Sequence, residues 1–226
     1  MSGPSVAARR IGREAEPIAI IDHFAPDPEA LRRFAARQRF APAGRHYPGI
    51  KAALPPDYMP TQGPLIGKIL REVFGVAGKV SILEADFSIV TALPSSLSIE
   101  QRLPHVDALE SGRLALVHYL VPGGTDGTAF YRHRSTGFET VDTARSATYF
   151  ASLRRDLSEG AVPEAYITND TLLFEQTASL PGVYNRALLY RSRMLHSGAI
   201  GEDATLSDDP ATGRLTVTGF FSTTAG

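Results

Sequence analysis

The stretch RLALVHYLV, from Arg113 to Val121, decides how the rest of the chain is read. It is rich in β-branched and aromatic residues, and Pro122-Gly123-Gly124 closes it, so it predicts a strand that ends in a turn. After the turn signal Thr125-Asp126-Gly127, the segment GTAFY (127–131) predicts a short second strand. Further strands are expected at 18–21, 82–91, 170–180, 183–195 and 214–222, with Pro181-Gly182 as a tight turn. Helices fit three places. Asp27-Pro28-Glu29 supplies an N-cap, a proline at the first helical position and an early acid, followed by Leu31, Phe34 and Ala35 on one face. Residues 64–74 place Leu65, Ile69, Leu70 and Phe74 inward, and 142–158 form the third helix. Residues 1–16 are small, charged and polar and are expected as a flexible tail. The six prolines in 41–64 predict an ordered loop.

Helices first, then about eight strand segments with one helical insertion, is the order of a mainly β chain of the α+β kind. The expected architecture is a double-stranded β-helix (a jelly roll, cupin-like) with the N-terminal helices packed on one sheet. Its core spans about 80–222 inside a single domain, 17–226.

Composition removes several functions. The net charge of −1 offers nucleic acid no electrostatic footprint, and no polybasic block suits a membrane surface. The absence of cysteine excludes disulfides, iron–sulfur clusters and thiolate zinc sites, so any metal takes His, Asp or Glu. No apolar run is long enough for a membrane span or a signal peptide, so the cytoplasm is the default location. No Gly-X-Ser-X-Gly elbow supports a serine hydrolase.

The chemistry gathers at the one His-X-Asp/Glu in the chain, His105-Val106-Asp107. In extended backbone, positions two apart face the same side, so both side chains can reach one ion. Pro104 pushes Leu103 toward extended geometry. His196 follows 89 residues after Asp107, at the end of the 183–195 strand, where Leu188, Tyr190, Ser192, Met194 and His196 would share one partly polar face. Two histidines and a carboxylate on a β-scaffold make the facial set that suits Fe(II) and leaves positions open for other ligands. Arg214 opens the last strand and can grip a carboxylate with two parallel hydrogen bonds. Thr216 shares its face and adds a hydroxyl.

The order His-X-Asp, glycine-rich turn, strand-end His, then Arg in the final strand resembles the Fe(II)- and 2-oxoglutarate-dependent dioxygenase superfamily. It is most similar to the prolyl-4-hydroxylase-like branch, and to an uncharacterised bacterial family within it. Ile18–Phe34 and Gly127–Phe138 share in the resemblance, which covers about 17–222. It implies Fe(II) on His105, Asp107 and His196 and 2-oxoglutarate held by Arg214, with Tyr119 and Thr216 beside it. Dioxygen is the co-reactant, and the outcome is hydroxylation of an unactivated C–H bond with release of succinate and carbon dioxide. The gap of 18 residues from His196 to Arg214 is longer than is usual in relatives and reads as a longer surface turn. Arg191 and Arg193 are set aside because alternation points them away from His196. The substrate, a small molecule or a peptidyl side chain, is left open. The loops expected to choose it are 41–64, 92–103 and 131–141, and a homodimer is the default assembly.

His118 is expected to face the packing side. His133, with Arg132 and Arg134, reads as a solvated loop at the mouth of the site. His46 belongs to a substrate-side loop, and His23 has no ligand spacing. The rival reading is a non-catalytic cupin-like protein that binds a metal or a small acid, for which a carboxylate clamp at Arg214 has no use.

Overall fold

The computed structural model describes residues 3–44, 46–160 and 162–224. Eleven strands and four helices form two antiparallel sheets between helical layers. The strands are β1 (Ser5–Ile11), β2 (Glu16–Asp22), β3 (Ala41–Pro42), β4 (Gly49–Ala53), β5 (Val80–Val90), β6 (Arg113–Tyr119), β7 (Thr125–His133), β8 (Phe174–Gly182), β9 (Ala187–Arg191), β10 (His196–Gly198) and β11 (Leu215–Thr223). The helices are α1 (Pro28–Ala35), α2 (Tyr58–Phe74), α3 (Ile99–Arg102) and α4 (Thr143–Ser158). The main sheet runs β1-β2-β9-β6-β11-β5-β4-β3, and the second runs β10-β7-β8.

β6 lies in the interior of the main sheet, between β9 and β11, which explains why its sequence is nearly continuously apolar. Leu114 and Leu116 face the layer of α1 and α2, together with Phe87, Leu189, Val217 and Phe221. Ala115 and Tyr119 face the second sheet, against Phe130, Leu180, Leu188, Tyr190 and Met194. Each large apolar side chain buried here contributes roughly 1.5–3 kcal/mol. On the far side of the second sheet, Tyr131, Phe174 and Leu195 pack against Tyr149 of α4.

Local signals set the helix ends. Asp27 caps α1 by accepting from the Ala30 amide at 2.8 Å, and Asp142 caps α4 by accepting from the Arg145 amide at 2.9 Å. α2 stops at Gly75, whose left-handed φ of 69° releases the chain toward β5.

Several expectations are corrected. Residues 5–11 of the expected tail form β1, paired along its length with β2. As an edge strand exposed on both faces it has no apolar alternation to betray it. The turn between them is held by Glu139, whose carboxylate accepts from the Arg13 and Glu14 amides at 2.9 and 3.0 Å. Within 41–64 the chain forms β3, β4 and the first turns of α2, which begins at Tyr58 and keeps Pro64 inside it. The expected strand 183–195 is two pieces. β9 ends at Arg191, a turn closes with the Met194 amide on the Arg191 carbonyl at 3.0 Å, and His196 starts β10 in the other sheet.

His118 takes its expected structural place, between the Tyr58 hydroxyl at 3.1 Å and Asn185 Oδ1 at 3.0 Å. His133 is not solvated: it ends β7 fully buried, with Nε2 3.2 Å from Asp156 Oδ2 of α4. Arg132 ion-pairs with Glu175. The 138–141 segment likewise packs on the β1–β2 turn and on 193–195, as the hydrogen bonds of Glu139 and Val141 show.

No helix of the described residues is long and apolar enough to cross a membrane.

Candidate metal centre and buried guanidinium

His105 and His196 meet across a single β-bridge, each amide donating to the other's carbonyl at 2.9 and 3.0 Å. The Asp107 amide donates to the Ser192 carbonyl at 2.8 Å, and Ser192 in turn is bound to Arg113 of β6. These bonds pin the His-X-Asp turn to the crossover between β9 and β10, so three side chains remote in sequence converge. His196 Nε2 lies 3.5 Å from Asp107 Oδ2, and His105 Nε2 lies 3.7 Å from Asp107 Oδ1. One ligand atom from each residue falls within 4.8 Å of the others. Around an ion with bonds of about 2.1 Å, adjacent ligands stand about 3 Å apart, so small side-chain adjustments complete the set.

Electrostatics suit a cation. Asp107 Oδ2 is buried with no hydrogen-bond partner. Burial pushes the Asp107 carboxyl up to about 6, opposed by His105, Arg113 and Lys51. Burial also pushes His196 down to about 4, so it is neutral at pH 7. Its Nδ1 faces the Met194 carbonyl at 2.8 Å, which assigns the proton to Nδ1 and leaves the Nε2 lone pair toward Asp107. His105 is shifted in the same direction by burial, although 53% of its side chain faces the open cleft, and His46 adds to the shift.

Arg214 immediately precedes β11 and is 8% exposed. Its Nη2 donates to the Gly127 carbonyl at 2.9 Å, its Nε has no partner, and no carboxylate among the described residues lies within ion-pair distance. The guanidinium carbon sits 5.7 Å from the Tyr119 ring centroid. The Tyr119 hydroxyl is taken up by Thr128 Oγ1 at 2.7 Å, and Thr216 Oγ1 donates to the Ser88 carbonyl at 3.1 Å. Both residues therefore stand beside Arg214, where the sequence placed them, with their hydroxyls engaged within the protein.

Two tyrosines join the site, Tyr190 from the face that the sequence assigned to His196 and Tyr47 from the proline-rich segment. Tyr190 packs its ring 4.8 Å from that of His196, and its hydroxyl feels both Asp107 and Arg214. It therefore links the two halves of the pocket. Tyr47, from the proline-rich segment, has a buried hydroxyl without a hydrogen-bond partner, within the field of Arg214 and next to Thr216 and Ser88. Strand alternation put Tyr190 on the face of His196; beyond its place in the 41–64 segment, nothing local marks Tyr47. Arg191 and Arg193 both pair with Glu16, away from the site.

The fold is shared with solved structures. HygX from Streptomyces hygroscopicus with nickel and 2-oxoglutarate bound aligns with a TM-score of 0.53 at 13% identity, over 93% of this chain and 84% of that one. The same protein with nickel, 2-oxoglutarate and hygromycin B bound gives 0.52 at 12% identity, and with iron bound 0.51 at 13%, over the same shares. No curated protein matches the sequence. Residues 2–221 match DUF6445, a family of unknown function, and the chain belongs to that family.

Proposed function

We propose that the protein is an Fe(II)- and 2-oxoglutarate-dependent oxygenase that hydroxylates an unactivated C–H bond. The observation that carries this reading is one interior holding two kinds of unfinished chemistry: a neutral-histidine and carboxylate triad, and a buried guanidinium with no counter-charge among the described residues. A simple metal-binding cupin has use for the first and none for the second.

The fold reading belongs with it. β5, β6, β9 and β11 lie in the main sheet, while the His105 bridge, β7, β8 and β10 lie in the second. That interleaving supports a double-stranded β-helix of the prolyl-hydroxylase-like kind. HygX, with the same fold, has been solved with iron and with nickel and 2-oxoglutarate, which supports the cofactor assignment.

His105, Asp107 and His196 would hold Fe(II), which, when bound with 2-oxoglutarate and dioxygen, supplies the oxidising chemistry that yields succinate, carbon dioxide and an alcohol. The chain's own residues do the rest. The Met194 carbonyl fixes the tautomer of His196, keeping Nε2 free to bind. Arg214 offers paired donors to the distal carboxylate of 2-oxoglutarate, whose charge would compensate a cation now buried alone. The Tyr119 ring stacks beneath the guanidinium and Thr128 anchors that ring, so the clamp is held in place before the cosubstrate arrives. Tyr47 supplies a hydroxyl to the same pocket. Tyr190, Phe130 and Met194 exclude water from the side of His196.

The test is succinate formation by purified protein that requires both Fe(II) and 2-oxoglutarate. Full metal loading with no turnover, coupled or uncoupled, would refute the reading.

A further inference from the structure

Among the described residues the second sheet has three strands, and its side chains pack against β2, β6 and β9 of the main sheet. Over β2, β9 and part of β6 the covered face is dry: Ile18, Ile20, Ala115, Leu188 and Tyr190 are all buried. Over β4, β5 and β11 the same face is polar, buried at Ser88 and Thr216 and partly accessible at Lys51, Glu84 and Asp86. Register places Lys51, Ser88, Thr216 and Tyr119 in one row across four strands, and Asp86, Thr218 and Val117 in the next. Lys51 Nζ reaches along this floor to ion-pair with Glu84 and lies 4.0 Å from Asp86. At the far end of β6, on the face of Ala115 and Tyr119, stands Arg113. Its Nε is buried without a partner, and it makes no side-chain hydrogen bond or ion pair among the described residues. Among the neighbouring arginines, Arg186, Arg191 and Arg193 each hold a carboxylate, and Arg113 shares with Arg214 the lack of one among the described residues. Asp107 is bonded to Ser192, which is bonded in turn to the Arg113 backbone, so Arg113 stands next to the triad, and Arg113 and Lys51 both act electrostatically on Asp107.

Resting on the oxygenase reading, we propose that this floor is the substrate site and that it selects an extended zwitterion. The substrate's acidic group is gripped by Arg113, its ammonium is received by Glu84 and Asp86, and the chain between them passes the triad. The Cα atoms of Arg113 and Glu84 are two strand spacings and one side-chain repeat apart, roughly 12 Å. The two charges of the substrate are therefore separated by several bonds rather than sharing one carbon. Lys51 neutralises one of the two carboxylates, so the floor offers one net negative and one net positive subsite. Interactions of this kind reject an analogue lacking either charge far better than an apolar pocket rejects one lacking a methylene.

The test uses the full chain loaded with nickel(II) and 2-oxoglutarate, titrated calorimetrically with ε-aminocaproate and 5-aminovalerate as zwitterions, and with n-hexylamine and caproate as singly charged controls. Zwitterions are expected to bind at least tenfold tighter than either control. Arg113→Gln should remove that preference and Arg113→Lys restore part of it. Asp86→Asn should weaken ε-aminocaproate and n-hexylamine and leave caproate unchanged. Binding of the controls as tight as that of the zwitterions, or no binding of any zwitterion, overturns the proposal. So does an Arg113→Gln protein that weakens nickel while leaving the zwitterion preference intact, because Arg113 then serves only Asp107. The preceding titration of the unmodified protein with 2-oxoglutarate separates the two ideas: uptake with no zwitterion preference defeats this proposal alone, and no uptake defeats the oxygenase reading.

Discussion

Replacing Arg214 with Met separates cosubstrate binding from folding. Arg214 is 8% exposed and its guanidinium is bonded to backbone carbonyls, with Gly127 O at 2.9 Å, and among the described residues no carboxylate lies within ion-pair distance. A buried charge without a partner costs free energy, and an apolar side chain of similar length is often neutral or stabilising in such a place. The Met variant should therefore unfold in urea at the wild-type midpoint or above it. Against a bound carboxylate the balance reverses. Two charge-assisted hydrogen bonds at about 1.5–3 kcal/mol each amount to about 3–6 kcal/mol. That corresponds to a loss of roughly 10²- to 10⁴-fold in 2-oxoglutarate affinity. Calorimetric titration of the nickel-loaded variant reads this directly. Affinity within threefold of wild type, in a folded variant, would refute the clamp. A large loss of stability would show that the guanidinium serves the fold.

Other outcomes follow from the same contacts. In the metal-free protein, Asp107→Asn should raise the melting temperature at pH 7.5. The native carboxyl titrates near 6 against an unfolded value of 3.8, so its contribution is favourable below about 4 and is lost as pH rises through 6. The gap between variant and wild type should close as pH falls from 7 toward 4, and a pH-independent gap would contradict the buried carboxyl. His118 and His196 act oppositely: both are pushed from 6.5 down to about 4, so their contribution is full above 6.5 and lost as pH falls toward 4. Tyr119→Phe removes the bond to Thr128 and leaves the ring under Arg214, so 2-oxoglutarate affinity should fall less than tenfold by calorimetry; a larger loss would mean that the hydroxyl turns to the cosubstrate. Asn185→Ala deletes the bonds of one side chain to Ala25 N, Ala25 O and His118 at a residue with φ of 58°, and should cost about 2–4 kcal/mol in urea unfolding. Glu139→Ala frees the Arg13 and Glu14 amides and should speed hydrogen exchange across 5–16 while leaving the sheet core protected; unchanged exchange there would show that β1 is held by pairing alone.

The parts of the molecule legible in the sequence were those written in local patterns. The apolar run of β6, the Asp27-Pro28 start of α1 and the helix after Asp142 carry their own signals, and each element stands close to its expected bounds. β1 escaped notice because an edge strand exposed on both faces has no alternation and reads as a polar tail. The proline-rich segment hid β4 and the start of α2, since Pro60 and Pro64 discourage a helix that tertiary packing of Tyr58, Ile66 and Ile69 stabilises. His196 was found for an inexact reason. Alternation along one long strand aimed it at the pocket, whereas the chain turns after Arg191 and delivers it from the second sheet. Residue type and chain order picked out three side chains that do converge, despite the wrong path. The positions of Tyr47 near Arg214 and of Arg113 near Asp107 were not legible, because they depend on how strands distant in sequence pair, and no local pattern carries that.

The most direct measurement is anaerobic titration of the protein with Fe(II) and then 2-oxoglutarate, followed by visible absorption. A charge-transfer band should appear only with both present, vanish in His196→Ala, and demand far more 2-oxoglutarate in Arg214→Met. A wild-type protein that binds Fe(II) at this site and never develops the band would contradict the convergence of triad and guanidinium on one cosubstrate.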